Sequence, residues 1–537
     1  MLVTEGKIVA IGSMDEVLPT TTKKVSRVDL QGQTVLPGFI DVHTHFALSM
    51  FMAGMHDLSG FTHSNNASVW NSFESLVAES SDDEWLVCKG IDPILVDDLQ
   101  LPSLSYLDSL APSNPVIIFS QSLHSYWANS KAFELAGLTP QTPNPSDHSY
   151  YAKDEHGNFT GLIVEQEALM PFVEVLKKEV LTAKFLSDMS LKVMQDYAHN
   201  GNTTIVSTGL AINESRPLIM TKHLSNESPS LLSNFLSKLG MLPAREPLPR
   251  HFIYLRYDVP HLMPITKKEN DFYNIIGIKH WYDGSPYIGT MYMNEPYLET
   301  DLTKNKLDIQ PGARGEALVG RAALKEFIKE YHSQGWQIAL HAQGDAAIQE
   351  IIDAYSELEG ELDYSTSRHR LEHCMLLTSS QLDDLKRLNL TPSFHVNHIY
   401  YYGEALNNEI LGESRTHKTF PIRSALDKDL ISTLHSDQPM FESQPFRLLQ
   451  SAVERKTKEG NIIGEAERID LLAALKAVTI NAAWQINMED KLGSLEVNKY
   501  ADFVIVDSDP FTISADKLAS ITCLQTYING NLVERTK

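Results

Sequence analysis

The segment Thr34–His45, TVLPGFIDVHTH, decides the fold. Its apolar run FIDV (39–42) ends abruptly in two histidines one residue apart, His43 and His45. Alternate residues of a strand face the same way, so both imidazoles can point at one ion. Seven other runs also leave an apolar core for polar residues: TTIVSTG (203–209), HFIYLRYD (251–258), IIGIKHWYDG (275–284), WQIALHAQGD (336–345), HRLEHC (369–374), LTPSFHV (390–396) and LISTLHSD (430–437).

Between the later runs lie amphipathic stretches such as GRAALKEFIKEYHSQG (320–335) and SSQLDDLKRLN (379–389), apolar at helical spacing. Strands alternating with helices predict βαβ units and a parallel sheet, and eight units predict an α/β fold of the (β/α)8, TIM-like kind. His341 and His373 stand one repeat apart, His373 and Asp437 two. The C-terminal strand ends of such a barrel surround one mouth. His43, His45, Lys279, His341, His373 and Asp437, all at strand ends, are therefore expected to meet there.

The first two strands are far apart, which predicts an insertion at about 47–200 on a barrel spanning 39–486. Residues about 211–250, rich in Ser, Asn, Pro and Leu, read as a loop or small helical excursion. GKIVAIGS (6–13), KVSRVDLQGQTVLPG (24–38), KLGSLEVNKYADFVIVDSD (491–509) and LQTYINGNLVERT (524–536) read as strands and hairpins, with a turn at Asn529-Gly530. Neither terminus has enough strands for a sheet of its own. Residues 1–38 and 487–537 are accordingly expected to build one composite β-sandwich.

Composition narrows the function. The 537 residues are 42% hydrophobic and 21% charged, as in a globular protein with a large core. Acidic residues outnumber basic ones 69 to 45, a formal charge of −24, which argues against nucleic acid and anionic membrane as partners. The three cysteines, Cys88, Cys374 and Cys523, are too scattered for a disulfide framework or a CxxC site. The opening MLVTEGKIVAIG has neither the basic nor the apolar region of a signal peptide, and no run suits a membrane span. A cytoplasmic protein with a small-molecule substrate is the expectation, and a homodimer is admitted.

Pro37-Gly38-Phe39-Ile40-Asp41-Val42-His43-Thr44-His45 resembles the opening signature of the amidohydrolase superfamily. Gly277-Ile278-Lys279 with Asp283-Gly284, HAQGDAAI (341–348), RLEHC (370–374), HSDQP (435–439) and ADFVIVDSDP (501–510) are similar to one branch of it. So are HDLSG (56–60), PVIIF (115–119) with WANSKAFELAG (127–137), and GLIVE (161–165). That branch is amidohydrolase family 3, the YtcJ-like group that includes N-substituted formamide deformylase. Three departures stand out: the family's strand before GKIVAIG is absent, Gln343 replaces a common aliphatic residue, and His435 replaces a common glycine.

The resemblance implies one or two divalent metals per chain, zinc favoured. His43, His45 and Asp437 would hold one, His341 and His373 the other. Lys279, with an ordinary pKa of about 10.4, is a poor ligand as an ammonium; the resemblance implies an N6-carboxylated Lys279 bridging the two. It further implies hydrolysis of a non-peptide C–N bond (amide, N-formyl or N-acyl, or cyclic amide) by a metal-activated hydroxide, with Asp437 as the catalytic proton carrier. The alternatives are an aminohydrolase of the same superfamily, whose acidic shuttle beside the strand-five histidine, often H-x-x-E, is missing from His341-Ala342-Gln343-Gly344, and a catalytically silent relative. His124, Asp283, Gln343 and His395 are the candidate substrate-binding residues. Glu165, His398 and Tyr400–Tyr402 are weaker candidates, Asp345 reads as a helix-start residue, and His199, His251, His369, His417 and His435 are unassigned. Trp70, Trp127 and Trp281 suggest a partly apolar pocket.

Overall fold

Eight strands of the computed structural model, which describes residues 1–17, 25–225, 231–240, 242–243, 246–265 and 270–535, form one sheet in the order of the sequence. They are β1 (Phe39–Thr44), β2 (Asn202–Leu210), β3 (Arg250–Arg256), β4 (Tyr273–Trp281), β5 (Gln337–Ala342), β6 (Arg370–His373), β7 (Thr391–Phe394) and β8 (Thr433–Leu434). Every neighbouring pair is parallel. The sheet's two edges meet just beyond β8: the Asp437 N–H donates to the His43 carbonyl (3.0 Å) and the His45 N–H to that of Gln438 (2.7 Å). The expected α/β barrel is the fold. β1, β2 and β5 are buried at every position, as strands covered on both faces must be.

The helices follow from their sequences. Arg321–Ser333 turns Leu324, Ile328 and Tyr331 inward, the i, i+4, i+7 stripe of a helix laid on a sheet. Ser379–Arg387 begins at a capping box, in which the Thr378 side chain accepts from the Gln381 N–H and the Gln381 side chain accepts from the Thr378 N–H. One expectation is corrected in detail. The strand anticipated through Asp437 stops at Leu434, and Asp437 itself takes φ +58°, outside the extended region.

The chain divides into two units, Met1–Ser49 with Ser190–Lys537, and Met50–Met189. In the first, Thr34–Pro37 from the N-terminus pairs antiparallel with Phe503–Val506 from the C-terminus, which pairs with Cys523–Ile528, and that in turn with Asn531–Leu532. A hairpin of Leu2–Thr4 and Lys7–Ala10 contributes Ile8 to the same apolar cluster as Phe503 and Ile505. Both tight turns, Glu5-Gly6 and Asn529-Gly530, hold two successive residues at positive φ, the conformation that suits hairpin twist. The strand expected over 24–38 narrows to Thr34–Pro37; residue 24 lies outside the described residues. The 211–250 excursion carries helices Arg216–Leu224 and Leu231–Lys238, with 226–230, 241, 244 and 245 outside the described residues.

The second unit has its own six-stranded mixed sheet and an apolar core that includes Leu58, Trp70, Phe73, Ile118 and Trp127. Among the described residues, no helix is long and apolar enough to cross a membrane.

Candidate metal centre

The edge where β1 meets β8 is built around a buried carboxylate. Asp41 accepts hydrogen bonds from the hydroxyls of Ser436 and Ser443, which ties the Ser436–Asp437 loop to β1. That loop carries Asp437 to the paired histidines. His45 Nε2 lies 3.0 Å and His43 Nε2 3.3 Å from Asp437 Oδ1. Burial alone would raise the Asp437 carboxyl, but His43, His45 and His395 around it hold it well below the usual carboxylate range. The carboxylate is thus ionised, and donor atoms of His43, His45 and Asp437 lie within 4.8 Å of one another.

The other nitrogen of His43 is fixed from β6. His43 Nδ1 is 2.6 Å from Glu372 Oε2, and Glu372 is held on both oxygens by Arg370, whose guanidinium also donates to the Val42 carbonyl (3.0 Å). All three side chains are fully buried. A carboxylate on one imidazole nitrogen sets the tautomer and leaves the other nitrogen's lone pair to face the centre. His373 follows at φ +71°, turned out of the strand alternation that would set it opposite Glu372. Its Nδ1 lies 3.3 Å from His435 Nε2, and His435 Nδ1 lies 2.8 Å from Ser393 Oγ.

β4 and β5 supply the remaining side. Lys279 is buried with no hydrogen-bond partner for Nζ, and burial lowers its pKa to about 8 against the opposing pull of Glu372 and Asp437. His341 packs against His373, ring centroids 4.3 Å apart and the rings tilted by 55°, and burial followed by the nearby Lys279 lowers its pKa to about 3. His43, His373 and His435 are held well below their ordinary values, again mainly by burial. These four imidazoles are thereby held in the neutral form, the one that binds metal. Asp283 lies 3.7 Å from His341 Nε2 and accepts the backbone N–H groups of Gln343, Gly344 and Tyr292. Gly344 is required there, since a Cβ would sit 1.8 Å from the Tyr292 carbonyl oxygen.

The remaining sequence candidates fall in different places. His395, after β7, donates from Nε2 to the Ser436 carbonyl (2.8 Å) and lies beside Asp437. Gln343 is buried with its Oε1 unpartnered. His124 and Glu165 belong to the second unit, where they pair at 2.9 Å, each about one-third exposed. Trp70 and Trp127 pack that unit's apolar core, while Trp281 lies 5.3 Å from Lys279 Nζ. Asp345 opens the helix Asp345–Leu358 and caps Asn294. His398 meets the Tyr287 hydroxyl (2.6 Å), and Tyr401 stacks on Phe441. Three neighbours of the centre carried no assigned role in the sequence: Arg370, Glu372 and His435. A signal for the first two was present, two opposite charges at i and i+2 inside a strand expected to be buried.

The donor set fits a divalent cation. His43 Nε2, Lys279 Nζ, His395 Nδ1 and Asp437 Oδ1 are all buried, and none makes a hydrogen bond. Buried polar atoms are nearly always satisfied; donors of His43 and Asp437, and of His395 and Asp437, fall in groups within 4.8 Å, which suits a charged ligand. A closed parallel barrel with such a cluster at its C-terminal strand ends defines a metal-hydrolase type of barrel. This chain belongs to the amidohydrolase family, which it matches over residues 27–534, and is thereby a hydrolase acting on carbon–nitrogen bonds. It is 25% identical to N-substituted formamide deformylase of Arthrobacter pascens, covering 100% of this chain and 95% of that protein. It is 23% identical to YtcJ of Bacillus subtilis (strain 168), covering 95% and 90%. The fold superposes on an uncharacterized metal-dependent hydrolase from Pyrococcus horikoshii OT3 with TM-score 0.70 at 21% identity, covering 96% of this chain and 94% of that one.

Proposed function

We propose that this protein hydrolyses the C–N bond of a small N-formyl, N-acyl or cyclic amide, using divalent metal held by His43, His45, His341, His373 and Asp437. The observation that carries this reading is the set of buried donor atoms without hydrogen bonds at the strand ends. Zinc suits imidazole and carboxylate donors. A divalent cation there supplies Lewis acidity toward a carbonyl and toward water.

The protein's own groups do the rest. Asp437, kept ionised in a buried place, takes a proton from the attacking water and delivers it to the leaving nitrogen as the C–N bond breaks. The products are a carboxylic acid and an amine, both on one ring-opened molecule where the amide is cyclic. Glu372, clamped by Arg370, keeps His43 in one tautomer and orientation. Lys279, whose lowered pKa releases the neutral amine near physiological pH, is suited to take up CO2 as a carbamate, losing a proton and becoming an anionic oxygen donor. Polar groups of the substrate are proposed to meet Asp283 and Gln343 beside His341. Similarity to a formamide deformylase supports the amide class.

A screen of N-formyl, N-acyl and cyclic amides against zinc-loaded protein, with Asp437→Asn as control, tests this. Equimolar acid and amine released by the wild type alone is the expected result. Ammonia as the only nitrogen product would point instead to deamination, and a chain unable to bind divalent metal would overturn the reading. Mass spectrometry of the intact holoprotein tests the carbamate on Lys279.

A further inference from the structure

We infer that His395 is itself a metal ligand, forming with His373 and Asp437 a cation position distinct from that of His43, His45 and Asp437 and sharing the Asp437 carboxylate with it. This rests on the metal-dependent reading above and adds a ligand from β7.

The argument begins with a carbonyl. His395 Nε2 lies 2.8 Å from the Ser436 carbonyl oxygen. A carbonyl can only accept, so Nε2 carries the hydrogen. The neutral ring then has its lone pair on Nδ1. That nitrogen is buried, makes no hydrogen bond, and stands 3.8 Å from Asp437 Oδ2. Two acceptors thus face each other, the nitrogen fully out of water and the carboxylate largely so, an arrangement that costs free energy unless a positive charge lies between them. A proton does not serve, because 3.8 Å is too long for a hydrogen bond. A metal ion does serve: ligands on opposite sides of one ion need not touch, and each bond is about 2 Å.

The neighbourhood completes the set. Donor atoms of His373, His395 and Asp437 lie within 4.8 Å of one another, and these residues come from or directly follow the adjacent strands β6, β7 and β8. His435 also stands near, stacked on His395 with centroids 5.0 Å apart, but both its ring nitrogens already face partners, Ser393 Oγ and His373 Nδ1. Its role is to position His373.

Cobalt(II) provides the test. Full-length protein stripped with a chelator and reloaded with Co(II) is compared with His395→Cys and His395→Asn. Placing a thiolate at a ligand position should create a near-ultraviolet thiolate-to-Co(II) charge-transfer band, growing with added metal and absent from the wild type. His395→Asn should weaken Co(II) binding at least about tenfold or lose one equivalent. Absence of the band in a folded, Co(II)-binding His395→Cys overturns the assignment, because weaker binding in the Asn variant alone is also what a supporting residue would give. Wild-type protein that takes up no Co(II) would overturn the metal-dependent reading itself, a result separate from failure at position 395.

Discussion

Two buried polar side chains, one from each unit, show how differently this chain uses its interior. Asn129, in the Met50–Met189 unit, accepts from the N–H groups of Val116 (3.0 Å) and Ala132 (3.1 Å) and donates to the carbonyls of Ala111 (3.3 Å) and Asn114 (2.8 Å). All four of its hydrogen-bonding positions are filled. Lys279, in the barrel, is as deeply buried and its Nζ has no partner. The first side chain stitches a loop, a strand and a helix together. The second is kept at a cost in stability that its own unit does not recover, and such a cost marks function.

The sharpest way to break this contrast is to alter the barrel's carboxylate. Asp437→Asn should lower kcat on an amide substrate by about 10²–10⁴-fold, the range for a lost proton-transfer group, with the circular dichroism of the folded chain retained. Turnover surviving that change would show that the unsatisfied cluster is not the reacting centre. Next in size is the response of metal-free protein to acid. His341 and His395 have pKa values of about 3 and 4, and His43, His373 and His435 are also depressed. Unfolding returns each to about 6.5. The unfolded chain therefore binds more protons below that pH, and stability falls as pH falls. Asp283, pushed up to about 7 by burial, works in the opposite sense and offsets about one of these protons. The expected loss is about 1.4 kcal/mol per pH unit for each net proton taken up on unfolding. Urea unfolding from about pH 7 to about pH 5 would measure it. Hydrogen exchange should place the loss in the barrel rather than in the 50–189 unit.

Much of this was legible in the sequence and some was not, for a physical reason. A strand's two-residue period and a barrel's shared mouth make His43, His45, Lys279, His341, His373 and Asp437 predictable neighbours, since both rules act through backbone geometry. What escapes is set by departures from that geometry. Positive φ at His373 and at Asp437 is one such departure, and nothing in HRLEHC or HSDQP announces it. Arg370 and Glu372 pair with each other inside one strand, so their importance shows only when His43 is seen against Glu372. His435 reads as a stray substitution until His373 is found beside it.

The other side of the comparison can be tested at Asn129. Asn129→Ala takes the Asn129 amide from the N–H groups of Val116 and Ala132 and from the Asn114 carbonyl, while the Ala111 carbonyl keeps the Asn114 N–H at 3.4 Å; each buried unsatisfied group costs about 1–3 kcal/mol before relaxation and water entry. A loss of about 2–4 kcal/mol is expected, read as a lower melting temperature and faster proteolysis within residues 50–189. A change below about 0.5 kcal/mol, the size of an ordinary surface substitution, would mean that satisfaction there carries no architectural weight.

Lys279→Met should give the smallest effect on stability and the opposite sign. Its amine has no hydrogen bond to lose, so no partner is orphaned by its removal. Glu372, the nearest carboxylate by its influence on the lysine, keeps Arg370 and His43. Replacing a buried ionisable group by an apolar one of similar length is often neutral or stabilising. Metal-free Lys279→Met should therefore unfold at an equal or higher urea midpoint, by up to about 1 kcal/mol, while its turnover falls well below that of the wild type. Destabilisation comparable to that of Asn129→Ala would place Lys279 among the structural groups. It would also remove the reason for reading an unsatisfied buried amine as a functional one.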